Sequence, residues 1–362
     1  SYQSVLDQAN YSFGGTVVQG VAPVDGANRD LIWETTETLN FGLDMGFLGN
    51  QYTLSIEGYR KLTYDILMKL PVSTLYGLNA PYQNAGKVKN TGLEITAGYK
   101  LNTHGWNFQV SANAAYNKNE VMDLKNGGAR IWSGKYFNQE GYAINSIGGY
   151  IAEGLFKTEE EVANSATIPG TDTAPGDIKY RDINNDGKID GEDRVYIGNT
   201  MPKWTFGLNL FAEWKGLDAI FLFQGAADVQ GYLAGPGVVG EMIGAKGKPS
   251  YMYRDCWDAE TNPNGKFPRA FSSYRQNNSI YNPSSFWIVN SSYLRLKNFQ
   301  LGYTLPKEWC NMMGISRIRV YYSGQNLLTF TKFDKGFDPE SPEGGSSYPQ
   351  VKTNTFGLNI TF

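Results

Sequence analysis

The chain has 362 residues, a formal net charge of −3, 14 % aromatic side chains, 42 glycines and only 19 % charged residues. That composition favours strands; it excludes a coiled coil, disfavours a helical bundle or a regular α/β enzyme, and is too aromatic for a disordered chain. No basic surplus of the kind nucleic-acid binders carry is present, so no nucleic-acid partner is expected, and a single histidine with two cysteines leaves little for imidazole or thiol chemistry.

Taken in chain order, the first clear element is Leu39, Phe41, Leu43, Met45 and Phe47, alternating with Asn40, Gly42, Asp44 and Gly46. Strict alternation places one set on each face of a strand. A short connection at Gly49–Asn50 leads into a less regular strand over 51–66, and a long one over 67–86 leads to Leu93, Ile95, Ala97, Tyr99 and Leu101. After Asn102–Gly105, the residues Trp106, Phe108, Val110, Ala112, Ala114 and Tyr116 form the next apolar face. A long connection, 119–201, precedes Trp204, Phe206, Leu208, Leu210, Ala212 and Trp214, which alternate with Thr205, Gly207, Asn209, Phe211 and Glu213. Lys215–Gly216 joins this strand to 217–229, and 230–287 is long again. In 288–304 the phase flips between Leu294/Leu296 and Phe299/Leu301/Tyr303, which predicts a β-bulge near Lys297–Asn298. The connection 305–314, a strand over 315–330, the long segment 331–352 and the alternation of Phe356, Leu358, Ile360 and Phe362 complete the chain.

Short and long connections alternate without exception through nine strands. Tight turns on one side, long loops on the other, and tryptophans at both ends of an apolar face are the pattern of a membrane barrel. Glu94, Lys100, Glu213 and Asp218 fall on the opposite face, where a dry core would penalise them and a wet lumen would not. The expected fold is therefore all-β, the antiparallel portion of a transmembrane barrel, with 119–201 and 230–287 as long extracellular loops and the whole of 1–362 as one barrel part in contact with membrane lipid. A secreted β-sandwich that binds or hydrolyses carbohydrate is the competing reading; a second sheet packed on the Phe206–Leu208–Leu210 face would favour it. The topology also predicts that Cys256, in a loop, and Cys310, at a turn across the bilayer, are unbonded, because bridged Cα atoms lie within about 7 Å and the bilayer core is about 30 Å thick.

Several stretches, in this order, resemble the C-terminal part of SusC/RagA-type TonB-dependent transporters of Bacteroidota: LIWETTETLNFGL at 31–43, NAGKVKNTGLEITAG at 84–98, YNKNEV at 116–121, GDIKYRDINNDGKIDGEDRVYI at 176–197, GNTMPKWTFG at 198–207, SYLRLKNFQLGYTLPK at 292–307, SGQNLLTFT at 323–331 and FDPE at 337–340. The terminal Phe362 fits the same pattern. The resemblance implies a 22-stranded outer-membrane barrel, of which about nine strands are here, and a plug domain carried on residues outside this sequence. It implies a SusD-like surface lipoprotein and the TonB complex as partners, a glycan or, less often, a peptide as cargo, and no enzymatic activity.

The sharpest local motif runs from Asp182 to Asp193. Oxygen donors Asp182, Asn184, Asp186, Asp190 and Asp193 stand at positions 1, 3, 5, 9 and 12, Gly187 at 6, and Lys188 would lend its backbone carbonyl at 7. This is a calcium-loop spacing with Asp in place of the usual final Glu, so a structural calcium in an extracellular loop is expected; the plainer reading is a polar turn, since Asn, Asp and Gly favour turns anyway. Thr158 with Glu161 reads as a capping box for a short helix ending near Asn164. Trp132, Tyr136, Trp257 and Tyr274 are the candidates for stacking on a sugar ring; each taken singly is as well explained by packing within the loops. His104 lies in a short turn with no catalytic neighbour.

Overall fold

The computed structural model describes residues 5–233, 254–270, 282–333, 337–341, 348 and 350–362. They divide into two compact units, 1–41 with 58–93 and 117–145 in one, and 42–57 with 94–116 and 146–362 in the other.

A hairpin of β1 (Val5–Phe13) and β2 (Thr16–Asp25) comes first and forms a sheet of its own. The sequence pattern assigns no strand here, because Val17 and Val18 put apolar side chains on both faces and blur the period. Then follow β3 (Thr35–Phe47), β4 (Tyr52–Lys69), β5 (Tyr82–Thr103) and β6 (Trp106–Asp123). The long connection after β6 holds six short strands: β7 (Ile131–Ser133), β8 (Tyr136–Asn138), β9 (Ser146–Gly149), β10 (Ala152–Leu155), β11 (Ile178–Tyr180) and β12 (Val195–Gly198). It also holds the helix α1 (Glu159–Ala163), capped by the Thr158 hydroxyl, which accepts from the Glu161 N–H. Next come β13 (Trp204–Trp214), β14 (Leu217–Ala227), the loop strands β15 (Gln230–Tyr232) and β16 (Ile288–Asn290), β17 (Tyr293–Thr304), α2 (Lys307–Met312), β18 (Arg317–Thr331) and β19 (Thr353–Thr361).

The nine long strands make one sheet in the order β19-β18-β17-β14-β13-β6-β5-β4-β3. The sheet is open, with β3 and β19 at its ends. Through β6, β13 and β14 the antiparallel register is unbroken from Trp204 to Trp214. One face carries Leu208, Leu210, Phe221, Phe299, Leu301, Leu358 and Phe356 in adjacent rows, and side chains here remain exposed, Phe356 by 83 % and Leu358 by 57 %. Among the described residues the other strands pair in small sheets of the loops and the first hairpin, not against this face. Trp106 stacks on Trp214 at 5.2 Å at one rim and Tyr116 meets Trp204 at 4.9 Å at the other. Ten residues at about 3.3 Å, tilted by about 40°, separate the two rims by roughly 25 Å, the height of a lipid-facing apolar band. This is the membrane arrangement and not the sandwich.

Register shifts at Leu296/Asn298 of β17 against β18 and at Leu222/Phe223 of β14 against β17 mark the bulge where the alternation changes phase. The tight turns use left-handed backbone at Lys215–Gly216 (φ 48° and 86°) and His104–Gly105 (φ 47° and 80°), the conformation that two-residue hairpins of matching twist require. Strands β4, β5 and β6 run further than the alternation suggests: β5 has 22 residues where about 9–11 cross a bilayer. The connections 67–86 and 119–201 therefore shrink to 70–81 and 124–203. Beyond the bilayer the outward face no longer meets lipid, so polar residues such as Lys118 and Glu120, paired at 3.2 Å, continue the ladder without an apolar period. Conversely 288–304 is two strands, broken at Ser291–Ser292, where Asn290 Oδ1 accepts from the Ser292 N–H. Cys256 and Cys310 are both buried free thiols.

Each unit has its own core. In one, Val88, Val121 and Leu124 pack with Ile66, Met68, Ile131 and Ile144; in the other, Ile147, Phe156, Ile178, Ile189, Leu233 and Trp287 are buried within the loops. The two faces of β13 make a direct test. Leu210→Arg, at the middle of the apolar face, should lower folding stability by about 2–4 kcal/mol, whereas Asn209→Arg, one residue away on the other face, should leave it nearly unchanged; urea titration in lipid bilayers reads both.

Candidate functional site in the lumen wall and the loops

The inward face of the sheet carries charges, and in two places the strands and loops bring opposite charges together. Asp218, at the start of β14, pairs with Gly302 of β17, and the side chain of Arg319 on β18, opposite Thr304, reaches diagonally over that glycine to it. Arg319 donates from Nε at 2.9 Å to Asp218 Oδ1 and from Nη2 to the other carboxylate oxygen and, at 3.0 Å, to Gln300 Oε1. Gly302 lets the guanidinium pass: a Cβ there would collide with it. Planar two-point pairing of this kind fixes geometry as well as charge.

A second cluster sits at the long-loop end of β17. Arg295 is 3 % exposed; its Nε donates to Thr329 Oγ1 at 3.0 Å and its Nη2 to Asp338 Oδ1 at 2.8 Å. Its Nη1 lies 2.8 Å from Glu340 Oε1, an ion-pair contact not aligned as a hydrogen bond. Lys297, freed by the bulge, donates to Glu340 Oε2 at 2.9 Å. Asp338 also accepts from the N–H groups of Glu340 and Gln350, and the buried Ser291 hydroxyl donates to Pro339 O at 2.7 Å. The FDPE turn is thus clamped onto the inner wall. Burial alone would raise the Asp338 carboxyl, but Arg295 and the two N–H groups outweigh it and hold it below the usual carboxylate value. Neither cluster is assigned by sequence reading. The signal available for the second was an arginine at an inward position of β17 and a dipeptide of acid and proline at 338–339.

The loop at 182–193 is ordered by its own side chains. Asp182 accepts from the N–H groups of Asn185 and Gly187 at 2.7 and 2.8 Å, Asn184 from Asp186 at 3.1 Å, and Asp186 from Lys188 at 3.1 Å. Gly187 takes φ 84° and Asn185 φ 59°, so the turn needs residues that tolerate left-handed backbone. Asp193, fully buried, accepts from the Ile183 and Asp190 N–H groups and so braces the loop's two ends. The Lys188 ammonium lies 2.6 Å from Asp190 and 3.4 Å from Asp186, and these carboxylates push it up to about 12. Asp190 is lowered first by Lys188 and then by the Glu192 N–H. Ile189, buried, ties the loop to Thr167 O through its N–H at 3.0 Å. Among the described residues no three acidic, histidine or cysteine side chains converge as a metal-ligand group. The donors at positions 1, 3 and 5 nonetheless line one turn, and each accepted N–H leaves a carboxylate or amide oxygen with a further lone pair. The donor set therefore fits a hard cation if Lys188 swings away.

The aromatic candidates are placed differently. Trp132 and Tyr136 lie on the β7–β8 hairpin, half-buried, with Trp132 against Phe137 at 5.3 Å and Lys135 over the Tyr136 ring at 5.0 Å. Trp257 is only 8 % exposed, its ring against Gly176, beside a cleft of about 650 Å³ that Arg254, Asp258 and Asn262 also line. Tyr274 lies outside the described residues.

The clamp yields two expected outcomes. Asp338→Ala takes from the buried Arg295 guanidinium one of its two carboxylates and should destabilise the 337–341 segment by roughly 1–3 kcal/mol, while Arg295→Met with Asp338→Leu should recover part of the loss; hydrogen exchange of that segment measures both. A depressed carboxyl contributes stability that is fully present above its unfolded value of about 3.9 and is lost as pH falls through the lower folded value. The same segment should therefore loosen only in acid below about pH 3.9, and Asp338→Asn should remove that dependence.

Comparison with known proteins agrees with this architecture. Residues 1–327 match the family model described as TonB dependent receptor-like, beta-barrel. TonB-dependent receptor P3 of Formosa agariphila is 31 % identical over 96 % of this chain and 36 % of its own length. SusC of Bacteroides thetaiotaomicron is 28 % identical over 98 % of this chain and 34 % of its own. The solved RagAB peptide transporter superposes over the whole chain with a TM-score of 0.77 and 27 % identity, covering 39 % of the RagAB chain. The chain thus spans little more than a third of the length of its curated relatives. With its open nine-stranded sheet, lipid-facing belt and charged inner wall, it belongs to the β-barrel family of TonB-dependent receptors, proteins of the outer membrane.

Proposed function

We propose that this chain forms the C-terminal barrel wall and outer loops of a TonB-dependent importer of oligosaccharides, capped by a SusD-like lipoprotein. The observation that carries the reading is on the inner wall: two of its arginines are neutralised by carboxylates, at Arg319–Asp218 and Arg295–Asp338. Neutralised arginines among amides and hydroxyls suit an uncharged, hydroxyl-rich cargo better than the free termini of a peptide. In this reading the lipoprotein captures the glycan, the loops receive it, and TonB-driven movement of the plug opens the way inward. The work is binding and passage, not bond chemistry. The likeness to the RagAB peptide importer favours a second cargo, short peptides. Growth of a deletion strain complemented with the intact transporter, on oligosaccharides against peptides as sole carbon source, separates the two. Rescue on oligosaccharides alone is expected; rescue on peptides alone sinks the glycan reading.

We further propose that the 182–193 loop takes calcium on the outer side, held by Asp182, Asn184 and Asp186 with the Lys188 carbonyl, while Asp190 and Asp193 shape the loop. The support is the spacing of donors about Gly187 and the closed turn they form. Calcium must displace the Lys188 ammonium from Asp186, so Lys188→Ala should tighten binding. Asp182→Ala with Asp186→Ala should abolish it and expose 176–197 to protease with the barrel still folded. Equal metal content in wild type and double variant would refute the site.

A further inference from the structure

Among the described residues, the β17–β18 connection is unlike the two-residue turns at His104–Gly105 and Lys215–Gly216 in holding a helix. In α2 only Cys310 is turned inward, 1 % exposed, and the segment is closed onto the sheet by Leu305 N–H to Ile318 O and Ser316 N–H to Thr361 O. With Cys310 fixed inward, Trp309, Met312 and Met313 fall at i, i+3 and i+4 and so share one stripe. They are 54, 79 and 52 % exposed. A face this apolar on a polar turn has a partner outside the chain.

The connection that bears the stripe starts at the lipid-facing rim. The Thr304 N–H donates at 2.7 Å to Gly216 O, which ties the start of this connection to the turn after Trp214. Trp214 belongs to the stacked tryptophan pair at that rim, and Lys215 Nζ lies 4.8 Å from its ring centroid. From the same rim an apolar groove of about 550 Å³ runs along the outward face, lined by Leu217, Leu301, Tyr303, Val320 and Leu358. Lys215 and Lys307 stand at that end of the strands. Amphipathic aromatics with cations beside them sit at the headgroup boundary of a bilayer.

We infer that α2 and this groove form a seat for a phospholipid of the inner leaflet of the outer membrane, an acyl chain in the groove and its phosphate between Lys215 and Lys307. The seat would hold the short-turn end of β17–β18 at fixed depth. It rests on the membrane barrel and not on the nature of the cargo.

The test uses the intact transporter in nanodiscs of phosphatidylethanolamine and phosphatidylglycerol, with a polarity-sensitive fluorophore on single cysteines at Asn311→Cys, Met312→Cys or Met313→Cys. Wild type, whose two thiols are buried, is the blank. Labels at 312 and 313 should shift to the blue, be quenched by lipids carrying a shallow nitroxide and resist iodide, whereas the label at 311 should stay open to iodide. Equal iodide quenching at all three positions overturns the proposal. Protection at 312 and 313 in native outer membranes but not in nanodiscs also overturns it and assigns the face to a protein. In parallel, Trp309→Ser, Met312→Ser and Met313→Ser together should leave the barrel folded by heat-modified gel mobility and lose co-purifying phosphatidylglycerol in native mass spectrometry. Unchanged lipid retention would count against the seat.

Discussion

Inside a bilayer no water is available to the backbone, so each N–H and C=O of a crossing strand must find another strand. Everything else in this structure follows from that requirement. It forces β6, β13 and β14 into register with no slip from Trp204 to Trp214. A slip of one residue would turn Phe206, Leu208 and Leu210 inward and put Asn209 and Glu213 in lipid. Where the alternation does change phase, the ladder absorbs it in a single place. The shifts at Leu296/Asn298 and at Leu222/Phe223 fall beside each other on neighbouring strands, so that Phe299 and Leu301 return to the outer face.

The same alternation decides where charge is tolerated. Inward positions accept Asp218, Arg295 and Arg319, but these side chains are nearly or partly buried and the structure pairs each of them. Pairing across strands serves two ends. It offsets the desolvation of ions on a crowded wall, and it couples β14 to β18 through Gly302 and β17 to the FDPE turn through Arg295. The bulge contributes to both, because the extra residue it leaves unpaired, Lys297, is the one that reaches Glu340.

Outside the lipid the rules change. The extended ends of β4, β5 and β6 keep their ladder, yet their outward side chains face water and their inward ones build a separate small core around Val88, Val121 and Leu124. The loop strands behave as a soluble domain would, with Ile147, Phe156 and Trp287 buried, and the 182–193 turn pinned to them by Ile189.

Much of this is legible in the sequence, for identifiable reasons. A strand with lipid on one side and a wet lumen on the other has a two-residue period that little else produces, so the belt from Trp204 to Trp214, the bulge at Lys297–Asn298, the tight turns at His104–Gly105 and Lys215–Gly216 and the helix cap at Thr158 could all be read from residues near one another in the chain. The hairpin β1–β2 escaped because valines on both of its faces erase the period, and the extensions of β4 to β6 because that period ends with the lipid. The pairs could not be read at all. Asp218 and Arg319 are a hundred residues apart, and Arg295 meets Asp338 only because the loop after β18 folds back on the wall. The place of Lys188 between two carboxylates, and the turning of Trp257 onto Gly176, are likewise matters of packing. Local periodicity depends only on which solvent each face meets, and a sequence records that directly; contact between distant charges depends on register and loop closure, which only the assembled sheet determines.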